Sequence, residues 1–303
     1  MVEEAKLVKF TSFTCVLVFL LLLAFNIAVY IKRGKNRTTP DIKKITTILT
    51  EELLFLIFFL VWTYIRGFKP EAHGTEKFMD YGFMAAMMRA DYMPPKDMWF
   101  AGGRINYYYV GQFLATFLTK LSFVRVNEGY NLMLMTLAAF GFVLPYSIAS
   151  NVTLQYLKDK DTVSRWKAPF AGVLSGAGVS LAGNMHFVLY YWIIPGLRSL
   201  LGIKGDFDNY WFPNSTRYIG YNPDTHDKTI HEFPNYSFVL GDLHAHVLNI
   251  MLVLTVIAIL FAWLQKRKSL MAEGFSSEKM PGIISEIWNP HIILIGFFIG
   301  IFH

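Results

Sequence analysis

Apolar residues fall in long runs at 10 to 31, 46 to 68, 130 to 156, 168 to 193 and 246 to 265. A helix of about 20 apolar residues crosses a hydrocarbon core of roughly 30 Å, so each run predicts a membrane-spanning helix. A sixth run, "PHIILIGFFIGIFH" at 290 to 303, stops after about a dozen apolar residues, short of that length. It reads as a partial span of a chain that ends early. Between the runs the period changes. From Glu76 to Ala90 a helix is predicted, with Thr75 as its cap, Glu76 in its first turn and "MPP" ending it after Asp91. Glu76 and Asp80 are four apart and share a stripe with Phe83, Met84 and Met87. The expectation is an amphipathic helix with its apolar side on the membrane and two carboxylates at one end. Segment 105 to 124, "INYYYVGQFLATFLTKLSFV", is apolar too, but Lys120 and three consecutive tyrosines suit an interface better than a lipid core. It is expected to lie in, or re-enter, the outer surface.

The fold class is therefore all-α: a polytopic transmembrane helical bundle with surface amphipathic helices, forming one integral-membrane domain over 1 to 303. Composition agrees. The 303 residues are 54% hydrophobic and 17% aromatic, with a mean hydropathy of +0.37, too apolar for an ordinary soluble domain. The first run is long, follows Glu3 and Glu4, lacks a small-residue cleavage site and ends in "KRGKNR", so a retained anchor fits better than a signal peptide. The one cysteine, Cys15, lies in that run, which excludes an intrachain disulfide. The +6 charge is spread over "KRGKNR", "KDKDTVSRWK" and "QKRKS" between apolar runs, the pattern of cytoplasmic loops. No basic face with interleaved aromatics exists, so nucleic acid is not an expected partner. Fixing those loops inside puts 69 to 129 and 194 to 245 on the outer face of a multi-pass cell-membrane protein.

Both outer loops carry chemistry. In the first, Glu76 or Asp80 is a candidate general base or metal ligand, since two like charges in a closed cleft raise the pKa of one of them. The plainer account is an interfacial helix whose Glu76 and Asp80 are solvated, or paired with Lys77 or Arg104. Arg89 and Arg104 are candidate phosphate clamps, although cations beside a membrane also meet anionic lipid. In the second, four of the eight histidines fall at 226, 231, 244 and 246, with Glu232 and Asp242 among them. Asp242, His244, His246 and Glu232 form a plausible mixed nitrogen and oxygen set for a divalent metal ion; capping of the next span is the competing account. On a helix Asp242 and His246 share a face, whereas on an extended segment all three alternate onto one side. Residues 204 to 236 form a polar loop long enough to be functional. Its "DFD" at 206 to 208 and the sequons "NVT", "NST" and "NYS" discriminate little. Asn184 and His186 lie in the fourth run, where polar groups at membrane depth are functional candidates and a packed, hydrogen-bonded histidine is the simpler account.

Two stretches carry a resemblance. "PPKDMWFAGGRINYYYVG", with "STRYIG", "TIHEFPNYSF" and "GDLHAH", is similar to a polytopic membrane family of bacteria and archaea named after its YYY motif. The match spans about 73 to 250. More distantly, "TEKFMDYGFMAAMMRADYMPP" resembles the first outer loop of integral-membrane glycosyltransferases of the C superfamily (GT-C), where an acidic residue opens a surface helix. That resemblance implies a GT-C-like bundle and a catalytic acid at Glu76, with Asp80 second. It departs from the superfamily in having Glu rather than Asp there, and "DLHAH" rather than a compact acidic pair.

The expected function is transfer of a sugar from a polyprenyl-phosphate donor to an acceptor on the outer face, with the lipid-linked donor and membrane lipid as partners. Glu76 or Asp80 would take the acceptor proton; Arg217, Arg89, Arg104 or the metal would meet the phosphate charge; Trp99 and Tyr107, Tyr108 and Tyr109 would line the entrance. A transporter with a His and Asp vestibule, or a metal-dependent membrane hydrolase, are the rivals. The transporter predicts ionisable residues deep in several spans, and 10 to 31 and 246 to 265 carry almost none.

Overall fold

The computed structural model describes residues 8–32, 41–74, 76–160, 164, 166–207, 210–221, 223–272 and 286–302. Among these no strand forms; only isolated bridges join Lys96 to Arg104 and Tyr221 to Asp224. In chain order the helices are α1 (Ser12–Lys32), α2 (Ile42–Gly67), α3 (Lys77–Arg89), α4 (Val110–Leu121), α5 (Val126–Asp159) and α6 (Lys167–Ser180). A π-helical turn, Val188–Ile193, then runs into α7 (Ile194–Leu200), followed by a 3-10 turn at Phe212–Thr216, α8 (Pro234–Leu240), α9 (Ala245–Ala272) and α10 (Pro290–Phe302).

Among the described residues, four helices are long and apolar enough to cross a membrane: Ser12–Lys32, Lys44–Gly67, Val126–Asp159 and Ala245–Met271. Burial separates them. Within its most apolar stretch α5 is 61% buried, against 6% for α1 and α2, so α5 is the axis and the others turn most of their surface outward. Trp62 of α2, Met84 of α3, Ala115 of α4, Tyr130 and Leu134 of α5, Phe238 of α8 and Val247 of α9 close one core around it. The far ends of α5 and α9 meet through an ion pair of Asp159 and Lys268. At the near end Arg66, on the last turn of α2, donates to Asn131 Oδ1 at 2.7 Å. The basic ends of α5 and α9 thus lie opposite the end where Arg66 meets Asn131.

The expected span at 168 to 193 is not one helix. Its first part, α6, has 14 residues and packs along α5, with Gly176 letting the Phe142 carbonyl approach to 2.7 Å of where a Cβ would stand. The chain leaves the helix after Ser180 and restarts beyond Met185. Asn184 causes the break: its Nδ2 donates to Ser215 O at 2.6 Å and its Oδ1 accepts from the His186 N–H at 3.2 Å, replacing helical partners by side-chain ones. Beyond it His186 stacks on Tyr190, centroids 4.5 Å apart, as a packed histidine whose Nδ1 has no hydrogen-bond partner.

α3 forms where its period placed it, but its apolar stripe faces protein. Asp80, Phe83, Met84 and Met87 are all buried, against α4, α5 and Phe10, while Phe78 on the opposite side is exposed. The stripe is wanted inside because α4 supplies a matching wall. Thr75, the expected cap, lies outside the described residues; the cap position is Glu76, with no side-chain cap bond. The α4 helix has 12 residues, about 18 Å long at 1.5 Å per residue, too short to cross a hydrocarbon core. Its Lys120 is buried, donating to Phe10 O at 2.6 Å and Met88 O at 3.2 Å, which ties α4 to the start of α1 and the end of α3.

Candidate functional site

Asp242 to His244 form the short non-helical link between α8 and α9. At its start Gly241 adopts a left-handed φ of +75°, and a Cβ there would collide with the Arg66 guanidinium. The Tyr130 hydroxyl donates to Gly241 O at 3.2 Å and accepts from the Leu243 N–H at 3.0 Å, so Asp242 is clamped on both sides. The His244 carbonyl accepts from Val247 and Leu248 at the first turn of α9, which places His246 on that turn. The segment is thus non-helical through His244 and helical from Ala245.

The turn at Gly241 folds α8 back so that Glu232, just before it, and Ser237, within it, reach the histidines. His246 Nδ1 lies 3.0 Å from Glu232 Oε2 and 2.9 Å from His244 Nδ1, and His244 Nδ1 lies 3.6 Å from the same Glu232 oxygen. The remaining ring nitrogens are also engaged: His246 Nε2 is 3.1 Å from Ser237 Oγ, and His244 Nε2 is 3.0 Å from Glu76 Oε2. That last contact joins residues 168 apart in sequence and brings the two outer-loop motifs into one cluster. The His246 imidazole pressed on Glu232 holds its carboxyl below the usual range, against the opposing effect of burial.

Behind this lie two drier carboxylates. Asp80 Oδ1 accepts from Gln112 Nε2 at 2.7 Å, while its Oδ2 is buried with no partner. Burial, reinforced by the charge of Asp242, pushes Asp80 up to about 7. Burial also raises Asp242, offset in part by His244; its Oδ1 has no partner. Lys77 is buried nearby, donating to His73 O at 3.2 Å. Glu232, His244 and His246 can present one ligand atom each within 4.8 Å of one another, the set on hand for a metal ion; Asp242 is not in that set.

A cavity of about 430 Å³ opens beside the cluster, lined at its polar end by Tyr107, Tyr108, Gln112 and His246 and along its walls by Val110, Leu248 and Leu252. A second hollow, between α9 and α10, shares Asn249 and Leu252 with it and continues along α9 to Ile257. Tyr107 and Tyr108 stand at the mouth, their hydroxyls 2.6 Å apart, whereas Tyr109 packs beside Phe113 and Trp99 lies exposed against Phe78 and Phe83. Arg89 and Arg104 line a different hollow with Lys96, Asp91 and Asp97, and Arg104 donates to Pro94 O at 2.8 Å. Arg217 has a buried Nη1 without a partner; it follows Thr216, whose carbonyl accepts from the N–H of His231, the residue before Glu232. Sequence reasoning missed Gln112, Ser237 and Tyr130. A signal existed for the first: Gln112, Thr116 and Thr119 make a polar stripe at helical spacing in an apolar segment, and all three are buried.

These features define a helical membrane protein with a carboxylate and imidazole cluster at one end of its bundle. The chain belongs to the family described as uncharacterized membrane protein (DUF2298), whose model matches residues 1–303. No curated protein and no solved structure matches it.

Proposed function

We propose that the protein is a GT-C-like glycosyltransferase moving a sugar from a polyprenyl-phosphate donor to an acceptor at the outer face of the cell membrane. The observation that carries this reading is the cavity beside the cluster, polar at the Gln112 and His246 end and apolar along α9, a shape suited to a headgroup with its chain. Glu76 meets the acceptor. Its Oε2 is engaged by His244 and its side chain is 60% exposed, so the other oxygen is available to take the hydroxyl proton. The acceptor oxygen then bonds to the anomeric carbon as the carbon–phosphate oxygen bond breaks, and the electron pair leaves with the lipid phosphate. Asp80, near 7, sets the local field behind Glu76.

A second reading, metal-dependent hydrolysis of the same lipid-linked donor, is favoured by the triangle of Glu232, His244 and His246. Incubating the protein in lipid nanodiscs with a polyprenyl-phosphate sugar, with and without glycan and peptide acceptors, separates the two. Transfer gives an elongated acceptor, and Glu76→Ala should abolish turnover while retaining polyprenyl phosphate. Release of free sugar that survives Glu76→Ala is the result that overturns the transferase.

A further inference from the structure

We infer that Glu232, His244 and His246 form a binding site for one divalent transition-metal ion, with Glu76 and Ser237 holding the two imidazoles in place. The argument begins with protons. A neutral imidazole carries one N–H and one lone pair. If His244 Nε2–H donates to the Glu76 carboxylate at 3.0 Å, its Nδ1 keeps a lone pair. If His246 Nε2–H donates to Ser237 Oγ at 3.1 Å, the same follows for its Nδ1. Two lone pairs and a carboxylate oxygen then face one another at 2.9, 3.0 and 3.6 Å, an arrangement that repels unless a cation sits among them.

The spacing fits such a cation. Ligand bonds of about 2.1 Å put donors on adjacent corners roughly 3.0 Å apart at right angles and about 3.4 Å apart at the tetrahedral angle. The three observed edges straddle those values. Two imidazole nitrogens with one carboxylate oxygen select ions of the zinc, iron or nickel kind over magnesium or calcium, which prefer all-oxygen cages. Each histidine is tethered through its second nitrogen, the arrangement that fixes ring orientation at metal sites. Three protein donors leave coordination positions open, and His246 lines the cavity that would bring an exogenous oxygen to them. The inference deepens the proposed function, since a phosphate oxygen of the lipid donor is the ligand class such an open position takes; the metal site itself does not depend on it.

The test uses the whole chain, tag removed, in nanodiscs. Metal is stripped with a chelator and then Zn²⁺, Co²⁺ or Mg²⁺ is titrated, with bound metal counted by mass spectrometry after dialysis and Co²⁺ followed by its visible absorption. One Zn²⁺ or Co²⁺ per chain is expected. His244→Ala, His246→Ala and the isosteric Glu232→Gln should each lower affinity at least 100-fold, and Glu76→Gln about 10- to 100-fold. Circular dichroism identifies any variant that has not folded, and Glu232→Gln serves as the variant of least disturbance. Wild-type protein that binds no transition ion, that prefers Mg²⁺, or whose folded Glu232→Gln form binds as tightly as wild type overturns the site and assigns the triangle to a shared proton. A chain that holds one ion yet transfers no sugar keeps this inference and loses the function proposed above; transfer by a wild-type chain that binds no transition ion on titration does the reverse.

Discussion

Asp80 and Asp242 occupy the dry side of the cluster, only 1% and 5% exposed, whereas the side chains of His244 and His246 are 19% and 31% exposed. On the dry side each carboxylate keeps one oxygen without a partner; on the wet side every imidazole nitrogen has one. The difference teaches how the two sides work. The wet side is a donor set already oriented toward a common point. The dry side resists charge, so it controls how easily negative charge accumulates nearby.

If that contrast holds, pH should act first through the dry side. Unfolded Asp80 ionises near 3.8 and folded Asp80 near 7, so between those values the folded chain keeps a proton that the unfolded chain releases. Stability should therefore fall as pH rises from about 4 to 7, by something on the order of 4 kcal/mol, and level off above. Melting curves across that range should flatten in Asp80→Asn; an unchanged slope would break the contrast. Next in size is Gly241→Ala, where a left-handed residue gains a Cβ against Arg66. It should cost about 3 kcal/mol in thermal unfolding and disturb both sides together, because Gly241 is their common turn. Gln112→Ala strips Asp80 of its one bond and should cost about 2 kcal/mol. Ser237→Ala, on the side water can reach, should cost less than about 1 kcal/mol in the metal-free protein. Smallest of all, Tyr108→Phe removes a bond at an exposed mouth and should shift stability by no more than about 0.5 kcal/mol.

Length and apolarity were enough to find α1, α2, α5 and α9, because a hydrocarbon core asks only for a sufficient run of apolar side chains. They did not reveal the interruption within 168 to 193, where Asn184 trades helical bonds for a contact with Ser215, a partner 31 residues away that no local window contains. The α3 stripe was legible as a stripe, but not its destination: lipid and protein interior attract the same side chains, and the choice rested on α4 lying alongside. For the cluster, residue types marked Glu76, Glu232, His244 and His246 as candidates, and the sidedness of the basic loops put them at one end. Which nitrogen meets which oxygen depends on the turn at Gly241 and on Arg66 and Tyr130, three residues that no motif in the sequence marked as candidates. The separation of Arg89 and Arg104 from the cluster was equally invisible, since both lie in the same loop as Glu76 and differ only in which hollow they border.

The link between Glu76 and His244 also bears on biogenesis. A ribosome delivers α3 and its carboxylates long before it delivers the histidines, so the contact between Glu76 and His244 forms only once the start of α9 has been made. Fragments severed in the connection between α5 and α6 would part Glu76 from the donors Glu232, His244 and His246, and only their reassociation within one bilayer would restore the contact between Glu76 and His244.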